Sequence, residues 1–179
     1  MGNFLYVDNS NVWIEGMRVS AVRRGMVLDI LTAITQNTLD MSWRMDFGKL
    51  YEFAGGQSTD VSRAALFGSR PPPNDSLWTV AKAKGFEVIV YDRNVRNQEK
   101  KVDVSIATEI VADCYERMTK GEDEVTLVAG DGDYVPAVER VIKRGVHFNV
   151  MFWNHASSEL KKACTKFFPM DDYLDHLKR

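Results

Sequence analysis

Short apolar runs alternate along the chain with longer segments in which apolar residues recur at helical spacing. Strands separated by helix-length segments imply right-handed crossovers, which predict a mainly parallel sheet covered by helices on both faces. We therefore expect an α/β fold in three layers with a five-stranded central sheet. The strands are expected at residues 4–7, 62–67, 86–91, 125–128 and 146–152.

The segments between the predicted strands have the apolar spacing of helices. Residues from about 26 to 54 are mostly helix-compatible, whereas residues 8–11 are interpreted as a polar turn and residues 71–73 as a rigid proline turn. The later helices are expected from Asn74 or Asp75 to Lys84, over 103–119, from Val135 to Gly145, from Ser157 to Cys164 and over 170–177.

Length and composition are those of an ordinary folded protein. The 179 residues correspond to a single domain at roughly 150 residues per domain, and 45% of them are apolar. No apolar run reaches the roughly 20 residues of a membrane span, and residues 4–7 resemble a strand more than a signal peptide. Two cysteines, Cys114 and Cys164, are too few for a disulfide framework. We therefore expect a cytosolic or nuclear protein, with the cytoplasm as the favoured location, and no membrane partner.

The charge balance gives no bulk sign of a nucleic-acid partner. The chain has 23 basic and 25 acidic residues and a net charge of −2. Setting aside four acids that share one metal site changes this value from −2 to +2 for the remaining surface. The bulk charge therefore does not exclude a polyanionic substrate.

Acidic residues follow two of the predicted strands at the point where each strand ends. Asp8 comes directly after the first strand, and Asp131 and Asp133 come after the fourth. Ligands of parallel α/β sheets gather outside the carboxyl ends of the strands, so these acids are expected at one edge. Asp103 falls on the sheet-facing side of its helix, where a carboxylate is costly unless it is paired, bound to a metal or used as a helix N-cap.

Four carboxylates at one edge would repel one another, and a divalent cation removes that conflict. Ligation by oxygen alone favours Mg²⁺ or Mn²⁺ over zinc, and such an ion suits phosphate-ester chemistry. Asn11 is expected to orient a ligand or a water beside Asp8. Each acid taken alone also fits a turn residue, and Asp133 fits a cap of the next helix. Turn chemistry alone rarely brings acids from three segments together.

Three blocks of sequence carry these acids in order. They are Val-Asp-Asn-Ser-Asn around Asp8, Lys-Lys-Val-Asp-Val-Ser-Ile-Ala around Asp103, and Ala-Gly-Asp-Gly-Asp-Tyr-Val-Pro-Ala-Val around Asp131 and Asp133. Together they resemble the NYN domain family of PIN-like nucleases, and the order of strands and helices agrees over nearly the whole chain. The resemblance implies a Rossmann-like, PIN-like fold and metal-dependent endoribonuclease activity on RNA. It assigns catalysis and binding of Mg²⁺ or Mn²⁺ to the same four aspartates.

The chain departs from the family pattern in two places. An acid often found near Thr165 is absent, which we expect to affect local packing only. Residues from about 17 to 43 form a longer connection, which we interpret as a helical insertion that serves as a lid, an RNA contact or a surface for homo-oligomers. Glu109 matches a position that is often acidic in the family, but helical geometry turns it away from Asp103 toward solvent.

Substrate positioning is expected to depend on basic and polar side chains near the same edge. Lysine and arginine side chains in loops at this edge could contact the phosphate backbone of a nucleic acid. Each of them taken alone could equally serve only to keep the protein soluble. Ser157 fits a helix N-cap first and a phosphate contact second, and Trp13 fits either base stacking or a core position. The candidate substrate-binding residues are Asn11, Arg70, Arg93, Arg96, Lys101 and Ser157.

The predicted function is metal-dependent hydrolysis of phosphodiester bonds in RNA. The alternative is a catalytically silent RNA- or protein-binding module of the same fold. A haloacid-type phosphatase is disfavoured because Asn9 and Ser10, rather than Asp-x-Asp, continue the first motif. A dinucleotide site is disfavoured because no Gly-x-Gly-x-x-Gly follows the first strand.

Overall fold

The computed structural model describes residues 2–70, 76–92 and 98–179. Its strands are β1 (Asn3–Asp8), β2 (Val61–Arg70), β3 (Glu87–Asp92), β4 (Glu124–Val128), β5 (His147–Phe152) and β6 (Lys166–Pro169). Its helices are α1 (Asn9–Arg23), α2 (Ile30–Thr35), α3 (Phe47–Gly55), α4 (Ser76–Ala83), α5 (Gln98–Glu116), α6 (Val135–Arg144) and α7 (Ser158–Ala163). Short 3₁₀ turns lie at Gly132–Tyr134 and Asp171–Tyr173. Within the described ranges, no helix is long and apolar enough to cross a membrane.

The strands form one sheet in the order β3-β2-β1-β4-β5-β6, and every neighbouring pair is parallel. The expected α/β class and parallel sheet are confirmed, but the sheet has six strands rather than the five expected. The additional strand, β6, has only four residues and ends at Pro169, so it is too short to show a periodic pattern. It pairs with β5, where Phe167 is the register partner of Val150.

The helices cover both faces of this sheet. α1, α3 and α4 lie on one face, where the rings of Trp13 and Phe47 are in contact. α5, α6 and α7 lie on the other face. The central strands are fully enclosed between the two layers, as shown by Leu5 in β1, Leu66 in β2 and Leu127 in β4. The right-handed crossovers expected from the sequence therefore produce the expected three layers.

The polar run after β1 begins a helix rather than the expected turn. α1 starts at Asn9, directly after Asp8, and the Asp8 carboxylate accepts a hydrogen bond from the Asn11 amide at 3.1 Å. Asp8 is therefore both the last residue of a strand and the N-cap of a helix. Because the cap leaves no loop between the two elements, the polar residues form the first turn of α1.

Two other helical segments are shorter than the sequence indicates. The segment from about 26 to 54 contains only α2 and α3, joined by turns, and the expected helix over 170–177 is the 3₁₀ turn at Asp171–Tyr173. The apolar spacing that made this segment helix-compatible includes Leu28 and Leu31, which are 93% and 70% exposed. Their periodicity does not correspond to a buried face, so no packing extends the helix through them.

The neighbouring strands β1 and β4 bring two loops to one edge of the sheet. Their parallel pairing places Val7 beside Val128, so Asp8 and the residues after β4 emerge together. The Gly130 amide donates to Oδ1 of Asn11 at 2.9 Å, which joins the start of α1 to the loop after β4. This is the edge at which parallel sheets bind ligands.

Candidate functional site

Asp8 forms the buried base of the site. Its side chain is only 4% exposed. One carboxylate oxygen accepts from the Asn11 amide, and the other accepts from the hydroxyl of Tyr134 at 3.1 Å. The helix cap and the tyrosine together fix the orientation of this carboxylate.

Asp131 and Asp133 lie on the exposed side of the site. They belong to the tight turn after β4, in which the Asp131 side chain accepts from the Asp133 amide at 3.1 Å. Asp131 therefore caps the 3₁₀ turn. The simpler interpretation, in which Asp133 caps α6, is wrong because no described side chain caps that helix. Both carboxylates are exposed, so they face an incoming ligand.

Asp103 enters the site from α5, on the opposite face of the sheet from α1. The helix begins at Gln98, so Asp103 lies inside it and is not its N-cap. The residues on either side of it along the buried stripe, Val102 and Ile106, are almost completely enclosed. The Tyr134 hydroxyl donates to Asp103 at 3.1 Å as well as to Asp8.

The four predicted aspartates are thus brought together, and we call them the acid site. Carboxylate oxygens of Asp103, Asp131 and Asp133 lie within 4.8 Å of one another. Asp8 adjoins this trio through the Tyr134 hydroxyl, which lies 3.1 Å from a carboxylate oxygen of Asp8 and 3.1 Å from one of Asp103. The three-residue arrangement can hold a metal ion, and the buried carboxylate of Asp8 lies next to Asp103 across the Tyr134 hydroxyl.

The electrostatics of the acid site are unfavourable in the protein alone. Burial raises the pKa of Asp8 to about 7; the Asn11 amide opposes this shift, and the charge of Asp103 adds to it. Burial also raises the pKa of Asp103, with a further contribution from the charge of Asp131. Burial and the two neighbouring carboxylates raise the pKa of the Tyr134 hydroxyl. Among the described residues, no lysine or arginine forms an ion pair with any of the four acids.

A cavity of about 250 Å³ opens beside the acid site. One wall is the face of α1 that follows Asp8, and the opposite wall is the start of α5. The lining residues are Asp8, Ser10, Asn11, Ile14, Glu15, Arg18, Ser69, Val102, Asp103 and Asp131.

The predicted substrate-binding residues have different positions relative to this cavity. Asn11 lines it, although its side-chain oxygen is occupied by Gly130. Ser157 caps α7, and its amide donates to the Gly130 carbonyl at 2.8 Å, so it lies behind the acidic turn. Lys101 is exposed near the start of α5. Arg93, Arg96 and the side chain of Arg70 lie outside the described residues.

Glu109 belongs to a separate group of charges, which we call the Arg63 cluster. The Arg63 guanidinium donates to Glu109 at 2.8 Å, to Asp113 at 2.5 Å and to both oxygens of Glu87 at 2.9 Å. The Tyr6 hydroxyl also donates to Asp113. Glu109 therefore lies in an ion pair away from the acid site, as its helical position predicted.

Tyr134 and the cavity residues Glu15 and Arg18 were not among the residues predicted from the sequence. Tyr134 follows Asp133 directly, and a large aromatic residue within a Gly-Asp-Gly-Asp turn was the available signal. Glu15 and Arg18 lie four and seven residues after Asn11, on the same face of α1. That spacing is informative only once residues 9–23 are known to be helical. Trp13 packs against Phe47, which favours the core position over base stacking.

Comparison with known proteins identifies a family. The NYN domain model matches residues 9–171. A crystal structure of a protein of unknown function from Vibrio parahaemolyticus has a similar fold, with a TM-score of 0.68 and 20% sequence identity over 96% of this chain and 93% of that chain. No curated protein matches the chain significantly.

Proposed function

Because the chain belongs to the NYN domain family, whose members are generally nucleases of the PIN-like fold, we propose that it is a metal-dependent endoribonuclease that hydrolyses phosphodiester bonds in RNA. The observation that carries the proposal is the meeting of Asp8, Asp103, Asp131 and Asp133 at the carboxyl edge of the sheet. Within the described part of the chain, these acids have no cationic partner. Such an arrangement is costly unless a ligand neutralises it.

The donor set fits Mg²⁺ or Mn²⁺. Asp103, Asp131 and Asp133 would hold the ion, and the fourth predicted ligand, Asp8, would complete the set from the buried side. All the donors are carboxylate oxygens, and hard dications prefer such ligands, whereas zinc prefers nitrogen and sulfur. When bound, such an ion neutralises phosphate charge and lowers the pKa of water.

The protein's own residues prepare the site for an anionic substrate. Tyr134 holds the carboxylates of Asp8 and Asp103 in fixed orientations, which limits the reorganisation that ligand binding requires. The Asn11–Gly130 hydrogen bond fixes the position of the acidic turn relative to α1. The exposed carboxylates of Asp131 and Asp133 leave the substrate side open.

The substrate-binding role of Asn11, Arg70, Arg93, Arg96, Lys101 and Ser157 is part of this proposal. Replacing Arg93 and Arg96 together by alanine should weaken RNA binding and reduce its salt dependence, because each phosphate contact contributes to counterion release. Metal affinity should stay unchanged. A dissociation constant and salt slope equal to those of the wild type would refute the assignment of these two arginines.

The deciding experiment compares substrates with and without metal. The purified chain is incubated with labelled RNA, labelled DNA and a generic phosphomonoester in Mn²⁺, and each reaction is repeated with EDTA. Cleavage of RNA that EDTA abolishes supports the nuclease. Binding of RNA without products supports the RNA-binding form of the silent module. Neither binding nor cleavage of RNA refutes both the nuclease and that form.

The cytoplasmic location and a homo-oligomer formed through residues 17–43 stay predictions. Leu28, Leu31 and Met41 are exposed apolar residues of this segment. Light scattering during size-exclusion chromatography measures the molar mass directly, and comparison with a Leu28→Ser, Leu31→Ser variant tests the segment.

A further inference from the structure

The cavity beside the acid site has a second end, where an arginine lies beside a glutamate. Asn11, Ile14, Glu15 and Arg18 form one face of α1 and all line the cavity. Asn11 lies near the carboxylates, whereas Arg18 is two turns further along the helix. A single cavity therefore connects a proposed dication site to a guanidinium group.

Arg18 is held in place by a chain of contacts. Its Nη1 forms an ion pair with Oε1 of Glu15, and its Nη2 donates to Oδ1 of Asn37 at 3.2 Å. The other oxygen of Glu15 lies 2.6 Å from Nε2 of His155. Because both oxygens of Glu15 are occupied, Glu15 orients Arg18 and is not free to act as a base.

The guanidinium retains unused hydrogen-bond donors. Arginine has five N–H groups, and the contacts with Glu15 and Asn37 use two of them. Within the described residues, the buried Nε atom of Arg18 has no partner. The side chain is only 17% exposed, so it is not an ordinary solvated surface charge. An anion entering the cavity could accept from the Nη hydrogens that these two contacts leave unused.

The cavity is small, and its two ends lie close together. Asn11 and Arg18 are about 10.5 Å apart along the helix axis at 1.5 Å per residue. The Arg18 side chain points back toward the helix N-terminus, which shortens this distance. Ile14 and Val102 supply apolar surface between the ends. The volume of about 250 Å³ lies below the roughly 300–1,000 Å³ of pockets for whole drug-sized ligands.

We propose that Arg18, oriented by Glu15 and His155, binds the phosphate that neighbours the scissile phosphate of an RNA strand. The inference rests on the proposed nuclease function and deepens it. The preferred substrate carries a second phosphate one nucleotide away from the bond that is cut. The opposing interpretation is structural, in which Arg18 only ties α1 to the turn at Asn37.

The test compares minimal substrates that differ by one terminal phosphate. The dinucleoside monophosphate UpU has a single phosphate, whereas pUpU and UpUp each add one, on the 5′ and 3′ side respectively. We expect the wild type to prefer one of the two phosphorylated forms over UpU by about 10- to 100-fold in kcat/KM, the effect of one charge-assisted hydrogen bond. Equal kcat/KM for all three substrates would overturn the proposal.

Variants then assign the preference to Arg18. For Arg18→Gln, the kcat/KM of the preferred phosphorylated substrate divided by that of UpU should fall to within about threefold of one. Glu15→Gln should lower this ratio partway, because the guanidinium loses its orienting charge. Arg23→Gln, an arginine of the same helix that bonds to Asp171 and Asp175, should keep the wild-type ratio. Asn37→Gly removes the hydrogen bond between Asn37 and Arg18 but leaves the guanidinium in place. Glycine suits the backbone φ of 50° at this position. This variant should also keep the wild-type ratio of kcat/KM values.

Two outcomes identify a merely structural Arg18. In that case Arg18→Gln lowers kcat/KM equally for UpU and the phosphorylated form, or Asn37→Gly reproduces its effect. Either result would overturn the proposal.

A binding measurement separates this proposal from the nuclease function. If the wild type cleaves nothing, the affinity for fluorescein-labelled UUU is measured by anisotropy in Mn²⁺. At least tenfold weaker binding by Arg18→Gln than by Arg23→Gln would support the phosphate contact although the nuclease function had failed. Equal binding by the two variants, or no binding by the wild type, would overturn the phosphate contact as well.

Discussion

Helix α5 contributes to two groups of acids that differ in what neutralises them. Near its start, Asp103 belongs to the acid site, whose four carboxylates have no cationic partner in the described ranges. Near its end, Asp113 belongs to the Arg63 cluster, where Arg63 donates to three acidic side chains. Each group also contains a buried tyrosine that donates to a carboxylate. The two groups differ in that Arg63 neutralises the acids of its cluster, whereas no described arginine contacts the acid site.

The pKa shifts follow from that difference. In the Arg63 cluster, the Arg63 guanidinium holds the pKa of Glu87 below its usual range, and Glu87 in turn raises the pKa of Arg63. In the acid site, burial and mutual repulsion raise the pKa of Asp8 and Asp103. The fold neutralises the acids of the Arg63 cluster internally, whereas the acids of the acid site have no cation beside them among the described residues. Unrelieved charge of this kind is typical of functional sites.

The largest expected effect is on activity. Asp131→Asn should lower RNA cleavage in Mn²⁺ by at least about 100-fold because it removes a charged metal ligand. Circular dichroism should show that the fold is retained. Glu109→Gln makes the same chemical change in the Arg63 cluster and should retain cleavage. If Asp131→Asn cleaved RNA at the wild-type rate, the activity would lie elsewhere.

The second effect is on stability and should occur in the other group. Arg63→Met removes the buried cation that contacts Asp113 and leaves only the longer contact with Arg117, so it should lower the free energy of unfolding by about 3 kcal/mol. Arg117 also contacts Asp113, and its side chain is 57% exposed. Arg117→Met should therefore lower the free energy of unfolding by less than about 1 kcal/mol. Urea denaturation measures both. Equal losses for the two variants would contradict the distinct role of Arg63.

The third effect is the pH dependence of metal binding. A proton on Asp8, whose pKa is raised to about 7, opposes a dication in the acid site. Mn²⁺ affinity should therefore fall by up to about tenfold for each pH unit below 7 and level off above it. Isothermal titration calorimetry in buffers of different ionisation enthalpy should detect the released proton. Constant affinity between pH 5.5 and 7.5 would contradict the coupling.

The smallest effect is the stability of the metal-free protein. The pKa of Asp8 is higher in the folded chain than its ordinary 3.8, so its contribution is most favourable below about pH 4 and is lost as the pH rises through 7. Asp8→Asn retains a helix-capping side chain and should abolish this decline. At pH 8 in EDTA it should raise the free energy of unfolding by on the order of 1–2 kcal/mol. A loss of stability at that pH would contradict the repulsion.

Sequence patterns predicted the parts of the fold that depend on burial. Buried central strands appear as apolar runs, so β1, β2 and β4 were located, and strand ends placed Asp8, Asp131 and Asp133 at one edge. α1 was missed because one residue, Asp8, both ends a strand and caps a helix, which removes the loop that a polar run indicates.

The sequence predicted which aspartates form the site, but it could not predict their surroundings or their pKa values. The position of Tyr134 between Asp8 and Asp103 depends on the tertiary distance between β1 and α5. The raised pKa of Asp8 depends on burial, which no local pattern reports. Arg18 reaches the cavity only because residues 9–23 form α1. Since the start of that helix was not predicted, the role of Arg18 in lining the cavity could not be predicted either.

Strand β6 has a consequence for how the protein can be shortened or joined to others. Its outward edge carries Lys166, and Pro169 lacks an amide hydrogen, so a strand from another molecule finds little to pair with. Removing residues from Thr165 onward would expose the edge of β5, whose Phe148, Val150 and Phe152 are buried. A tag or fusion partner should therefore follow residue 179 rather than replace this strand, since the trimmed form would tend to aggregate.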